Sequence, residues 1–276
     1  MKVIILGSTG MLGNTVGKYF IDMYGEDNVF LSYRDKDISY GKMSFYFDAL
    51  NFSDLFDRKF FKFPRCDYMI NCIGLIKQDK KWDVYKAIKL NSCFPLELGR
   101  YCKDNNCRLI HVTTDCVFSG RDGGYTEEFP HDALDEYGKS KSLGEACQRD
   151  AMVLRTSLIG EEIHKNISLL SWVKSMDGKT VKGYVNHLWN GITALQYAKV
   201  CEQIIEKDLY EKGLYHVFSD IVTKYELISM ISKHFNLNVI VEPFKTEINC
   251  NRTLSTVKKL NSKLNIPTVR EQLWQI

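Results

Sequence analysis

Tyr137 and Lys141 stand four residues apart in the stretch YGKSKSLGE, between a turn-like segment and a helical one. On a helix that spacing puts both side chains on one face. A free tyrosine titrates at about 10, too high for easy proton exchange near neutrality. A lysine ammonium beside it favours the phenolate and lowers that value. Such a pair can give a proton to a carbonyl oxygen as hydride reaches the carbon. A hydroxyl that holds the oxygen in place completes the chemistry. HVTTDCVFSG ends a predicted strand with hydroxyls and supplies Thr114, followed by Asp115 and Cys116. Each residue alone has a plainer reading: a tyrosine packs with a wet hydroxyl, and a lysine stem runs out to solvent.

A hydride donor needs a cradle, and the chain opens with one. KVIILG reads as a buried strand, followed by Gly7, Ser8, Thr9, Gly10, Met11, Leu12 and Gly13 and then a helical pattern. Glycines at this spacing allow a tight turn and close approach of a pyrophosphate to the helix N-terminus. Gly7, Thr9, Gly10, Met11, Leu12 and Gly13 are the candidates. An ordinary strand–helix turn is the plainer alternative. The end of the second strand selects the cofactor. Arg34 can pair with a 2′-phosphate and Ser32 can donate to it, which favours NADP(H). Arg34 is equally well read as a solvated surface residue, and Asp35 leaves NAD(H) open. Asp48 suits an adenine amino group or the cap of the next helix.

The elements that must position these residues alternate. Strands are expected at KVIILG, NVFLSYR, SFYFDAL, DYMINCIG, CRLIHVTTD and AMVLRTSLIG, with helices between them, including Asn51–Phe61 and a long one from about Trp82 to Asn105. This pattern predicts an α/β fold: a Rossmann-type doubly wound parallel sheet with a smaller C-terminal substrate-binding lobe. LQYAKVCEQIIEK and KYELISMISKHF read as amphipathic helices and NVIVEPF as a strand. The expected division is 1–156 for an NAD(P)-binding domain, with a returning segment near 192–218. The substrate lobe takes 157–191 and 219–276.

Composition excludes several classes. The chain has 276 residues and a net charge of +3, too weak to imply nucleic acid or a membrane surface. Nine cysteines without a CxxC pair suggest reduced thiols and a cytoplasmic protein. The apolar run in MKVIILGSTG is too short for a signal peptide, and no stretch approaches the roughly 20 apolar residues of a membrane span. Six scattered histidines lack ligand spacing, so no metal site is expected. FDRKFFKFPR interleaves aromatic and basic residues, which a solvated helix with an aromatic core face explains better than single-strand binding.

The stretches ILGSTGMLG, NCIG, TTDCVFSG, YGKSKSLGE and NRTLST together resemble the extended short-chain dehydrogenases/reductases. Within that superfamily they resemble the dTDP-4-dehydrorhamnose reductases, over nearly the whole chain. The resemblance implies Thr114, Tyr137 and Lys141 as a catalytic triad, with Lys141 also bonding the nicotinamide ribose. It implies pyrophosphate contacts from Gly7, Gly10, Met11 and Leu12, and cofactor contacts from Cys72, Ile73, Gly74 and Arg155, followed by Thr156. Asn91 supports the site from its helix, or else bonds a neighbouring loop. Arg252 and Ser255 match an element near a nucleotide-sugar site, and Trp189 and Asn190 are expected to line the sugar pocket. Trp189 also reads as core. The implied activity is NADPH-dependent reduction of a nucleotide-linked 4-keto-6-deoxyhexose in deoxysugar synthesis, by a protein that can form a homodimer.

One departure raises a rival. The family usually has tyrosine where this chain has Cys116. The spacing of Thr114 and Cys116 resembles that of GDP-L-fucose synthases, where such a cysteine works as an acid/base in epimerisation. His164 falls near the position of the partner histidine. This implies a combined epimerase/reductase, against the plainer reading of Cys116 as a small space-filling residue. A rival of another class is a non-catalytic dinucleotide-binding subunit that regulates a partner enzyme. Retention of both Tyr137 and Lys141 speaks against it.

Overall fold

The computed structural model describes residues 1–34, 42–51, 62–79, 82–162 and 168–276. Its central sheet has seven strands among the described residues. They are β1 (Val3–Leu6), β2 (Val29–Tyr33), β3 (Ser44–Tyr46), β4 (Tyr68–Asn71), β5 (Arg108–Thr114), β6 (Met152–Thr156) and β7 (Gly213–His216). The order across the sheet is β7-β6-β5-β4-β1-β2-β3. β1 pairs in parallel with both β2 and β4, as β2 does with β3 and β4 with β5. This is the Rossmann-type topology expected from the alternation, extended by β7, a four-residue strand that the pattern did not reveal. The chain order reverses between β1 and β4, where the ends of two strands open a crevice for a ligand. The helix expected over Asn51–Phe61 lies almost wholly outside the described residues.

The described chain divides into two compact units. The first is Met1–Thr113, Asp135–Leu154 and Ala198–Leu214, and the second is Thr114–Leu134, Arg155–Tyr197 and Tyr215–Ile276. In the first, apolar side chains of alternating strands and helices, among them Ile4, Leu6, Met69, Phe94 and Leu98, form the core. In the second, Leu170, Val173, Leu227, Ile231 and Val269 form a separate one. Helices Ala194–Glu206 and Lys224–His234 and strand Ile240–Phe244 lie where amphipathic and β-rich patterns predict them.

The long helix expected after β4 is continuous but not uniform. α2 (Val84–Ala87) runs into a π turn, Ile88–Cys93, and then into α3 (Phe94–Asp104). Pro95 accounts for the widening. It has no N–H, so the carbonyl of Asn91 four residues earlier lacks its helical donor. The following helix, α4 (Glu136–Gly144), packs against this turn. A Cβ on Gly144 would sit 1.9 Å from the Asn91 carbonyl oxygen, and Ser92 Oγ donates to the Ser140 carbonyl at 2.7 Å. Gly144→Ala is therefore expected to force the two helices apart and cost roughly 1–3 kcal/mol or more, measurable by urea unfolding.

Candidate active site

Helix α1 (Met11–Tyr24) follows β1 through the glycine loop. Gly7 takes φ +82°, and its N–H donates to Ser32 Oγ at 2.8 Å. Gly13 packs on the loop so closely that a Cβ would lie 2.2 Å from the Gly7 carbonyl oxygen. These two glycines are demanded by the turn itself. Gly10 is not: a Cβ there would meet only the Gly7 oxygen, at 3.4 Å. Gly10 is exposed and occupies the N-cap position, where no side chain caps α1 and no acidic residue lies in the first turn. The first N–H groups of α1 thus face an open position suited to an anion. Thr9 and Met11 are half-buried at its edge, whereas Leu12 turns its side chain into the core.

The cofactor-selecting residues divide. Arg34 is exposed at the end of β2. Ser32 is buried and its oxygen holds Gly7, so it braces the loop from below. Asp48 accepts from Leu50 N at 3.1 Å and from the Asn51 amide, the capping arrangement offered as its alternative. Asp35 and His164 lie outside the described residues.

Tyr137 and Lys141 share a face of α4. Asp135 caps that helix by accepting from Gly138 N at 2.7 Å. Lys77 Nζ binds Asp135 at 3.1 Å, and Trp82 Nε1 donates to Glu136 while its ring edge meets Tyr137 at 6.3 Å. The segment after β4 therefore grips the start of α4. Tyr137 is half-buried; Lys141 is 6% exposed. Lys141 Nζ reaches toward the Val112 carbonyl at 3.4 Å and fills the space beside Gly74, where a Cβ would lie 3.1 Å from it. Burial pushes its ammonium from 10.5 down to about 8, opposed chiefly by the charge of Glu145.

Asn91, on the π turn, is the clamp of this half. Its Oδ1 accepts from Leu75 N at 2.8 Å, and its Nδ2 donates to Leu75 O and Ser140 Oγ. One amide thus ties the loop after β4 to α4. Cys72 and Ile73 lie half-buried in that loop, and Ile73 covers Gly7. Sequence reading missed the layer behind Lys141. Thr113 Oγ1 donates to Glu145 Oε1 at 2.9 Å. His111 Nδ1 lies 3.1 Å from Asn71 Nδ2, while Asn71 Oδ1 accepts from Ile73 N. The Asn71 amide is then the donor, and the His111 proton sits on Nε2. Burial first, then the Lys141 charge, push His111 well below the usual range, so it is neutral. The signal was available in the buried polar residues of INCIG and LIHVTT, which a purely apolar strand would not carry.

The second unit carries the other candidates. Thr114 ends β5 and caps a short 3₁₀ turn, Asp115–Val117. Its hydroxyl donates to Asp115 Oδ1 and accepts from Cys116 N, each at 3.1 Å. Burial raises the Asp115 carboxyl against the charges of Arg252 and Lys224. Burial likewise lowers the Lys224 ammonium, against Asp115, Cys116 and Cys250. Lys224 Nζ also lies 5.1 Å over the Trp189 ring. Two cations thus gather at Asp115 and the half-buried Cys116, and Lys224 was not expected among them. Arg252 Nε donates to Phe118 O at 2.9 Å.

Other expected residues of this unit are structural pins. Asn190 is buried and pairs through both amide atoms with the backbone of Leu254. Trp189 is core. Arg155 is 0% exposed; it donates to His216 Nε2 at 2.7 Å and His131 Nε2 at 2.6 Å, over the Phe118 ring. Thr156 is buried beside it in the sequence, and Ser255 O accepts from His216 Nδ1. No group of metal-ligating side chains occurs among the described residues, and no described helix is long and apolar enough to cross a membrane.

A parallel sheet reversing at β1/β4, a glycine loop on β1 and a Tyr-xxx-Lys helix after β5 define an extended short-chain dehydrogenase/reductase. Within that class the chain belongs to the family described as RmlD substrate binding domain, whose model matches residues 1–272. A dTDP-4-dehydrorhamnose reductase of Aggregatibacter actinomycetemcomitans is 26% identical over 225 residues, 78% of this chain and 72% of that one. A probable low-salt glycan biosynthesis reductase of Haloferax volcanii is 35% identical over 99 residues; the match spans 34% of this chain and only 33% of that protein's length. The methionine adenosyltransferase 2 subunit beta of Xenopus tropicalis is 24% identical over 99% of this chain and 87% of its own. The crystal structure of a dTDP-4-dehydrorhamnose reductase from Bacillus anthracis in complex with NADP superposes with a TM-score of 0.75. It is 21% identical, with 99% and 97% of the two chains covered.

Proposed function

We propose that the protein is an NADPH-dependent reductase of a nucleotide-linked 4-keto-6-deoxyhexose. The observation that carries this is the buried Lys141 ammonium, one helical turn from Tyr137 and beside Gly74 at the sheet's switch point. The open N-terminus of α1 with its uncontested Gly10 fits a dinucleotide pyrophosphate. NADPH supplies the hydride when bound. Gly7, Gly10 and the N–H groups of Met11 and Leu12 hold its pyrophosphate, and exposed Arg34 takes the 2′-phosphate. Lys141 bonds the nicotinamide ribose and favours the phenolate of Tyr137. Tyr137 gives its proton to the keto oxygen, and Thr114 bonds that oxygen. The first unit carries the dinucleotide and the second the sugar nucleotide, whose diphosphate Lys224 and Arg252 suit by charge.

The test is NADPH oxidation by purified protein with freshly made 4-keto-6-deoxyhexose nucleotides, with Tyr137→Phe as control. Turnover of one nucleotide that is lost in the control establishes the activity and names its substrate. In that assay Arg252→Ala is expected to raise KM for the nucleotide about 10–100-fold with little change in kcat, as the loss of a charge-assisted contact to a ground-state phosphate requires. A fall in kcat with unchanged KM would place Arg252 elsewhere.

Two further readings have specific support. Cys116 is half-buried two residues after Thr114 and interacts with the Lys224 ammonium. If it epimerises the sugar before reduction, solvent deuterium will enter C3 or C5, and Cys116→Ser will stop the exchange. The similarity over 99% of this chain to a methionine adenosyltransferase 2 subunit beta supports a regulatory role as the alternative. Tight NADPH binding without turnover of any keto sugar would move the assignment there.

A further inference from the structure

We propose that Glu145, held by Thr113, is a positioning residue for Lys141: its buried carboxylate keeps that lysine in the charged form that proton transfer needs. The inference deepens the functional reading above and rests on it for the role of Lys141.

Glu145 follows Lys141 by four residues, and its backbone is still helical at φ −65°, ψ −14°. Both side chains therefore lie on one face of α4. Glu145 is 2% exposed, and Thr113 Oγ1, near the end of strand β5, donates to its Oε1 at 2.9 Å. A buried ammonium is strongly disfavoured unless an opposite charge stands near. The groups around Lys141 come from three elements. The loop after β4 brings Cys72, and burial raises its thiol far above neutrality. β5 brings the Val112 carbonyl and His111, which is neutral. α4 and the turn after it bring Tyr137, Glu145 and Cys147; burial pushes the Cys147 thiol up to about 12. Among the described residues whose charge acts on Lys141, Glu145 is the only carboxylate. Without it, burial acts unopposed and Lys141 loses its proton at a lower pH.

Glu145→Gln preserves shape and the acceptor for Thr113 while removing the charge. The alkaline limb of kcat/KM for NADPH oxidation is expected to move acidward by about one pH unit or more, as loss of a near charge in a buried site implies. A merely structural role would lower the whole profile without moving its limb. The direct readout needs no turnover. In protein labelled with 13Cε-lysine, the Lys141 signal is assigned from its absence in Lys141→Arg, and its titration midpoint is compared in wild type and Glu145→Gln. A lower midpoint in the variant supports the proposal, and an unmoved midpoint overturns it. Absence of NADPH oxidation in the wild type would defeat the functional reading while leaving this titration measurable. Should Glu145→Gln not fold, Glu145→Asp and Thr113→Val must both lower the midpoint by a smaller amount; an unmoved midpoint in either then overturns the proposal.

Discussion

Tyr137→Phe is expected to lower kcat by about 10²–10⁴-fold, the contribution of a positioned general acid. The substitution deletes one oxygen and keeps the ring. Its contact with Trp82 at 6.3 Å survives, as does the packing of α4 on the π turn. The cofactor cradle is built from other residues, so NADPH affinity is expected to stay within about threefold, the signature of a group used chiefly in the transition state. Steady-state kinetics with a fluorescence titration of NADPH separate the two quantities. Loss of NADPH affinity equal to the loss of rate would make Tyr137 a binding residue. Undiminished turnover would remove it from the chemistry.

The parts of this site legible in the sequence are those where one residue type answers one local demand. Gly7 and Gly13 were readable because the turn tolerates nothing else: a positive φ at one, a 2.2 Å approach at the other. Strands β1, β2, β4 and β5 were readable because both faces are covered, leaving nearly unbroken apolar runs. Tyr137 and Lys141 announced themselves through helical spacing. What spacing does not encode is which tertiary partner satisfies a polar atom. Ser32 was read toward a ligand, yet it already holds backbone of its own unit, and of the two readings of Asp48 the fold uses the cap. Asn190 was read toward the sugar, and its amide is occupied by Leu254, sixty-four residues away. Lys224 was invisible because its meaning depends on Asp115 and Arg252, which are distant in sequence. The π turn escaped for a different reason: Pro95 looks like a helix breaker, but a helix that widens around it keeps going.

Lys141→Met is expected to make the protein inactive and more stable at once. The folded state holds this ammonium at about 8 rather than 10.5, with burial the leading cause and the attraction of Glu145 already included. Below pH 8 the folded protein therefore carries a charge that its surroundings disfavour. Between about 8 and 10.5 the unfolded chain binds more protons, so stability rises with pH across that window. Methionine fills similar space without a charge. At pH 7 and without cofactor, the variant should gain roughly 2–4 kcal/mol, the order set by the fall from 10.5 to about 8. Thermal melts should show a higher Tm for the variant at pH 6.5 and little difference above about pH 11.5, where the wild-type lysine is neutral in both states. Turnover should fall below detection throughout, because Tyr137 loses the cation that favours its phenolate. A variant less stable than wild type at pH 6.5 would mean that Glu145 compensates the buried charge fully. The strain of the site would then lie elsewhere. A stabilised, inactive variant would show that the fold tolerates an unfavourable charge at the position where proton transfer needs it.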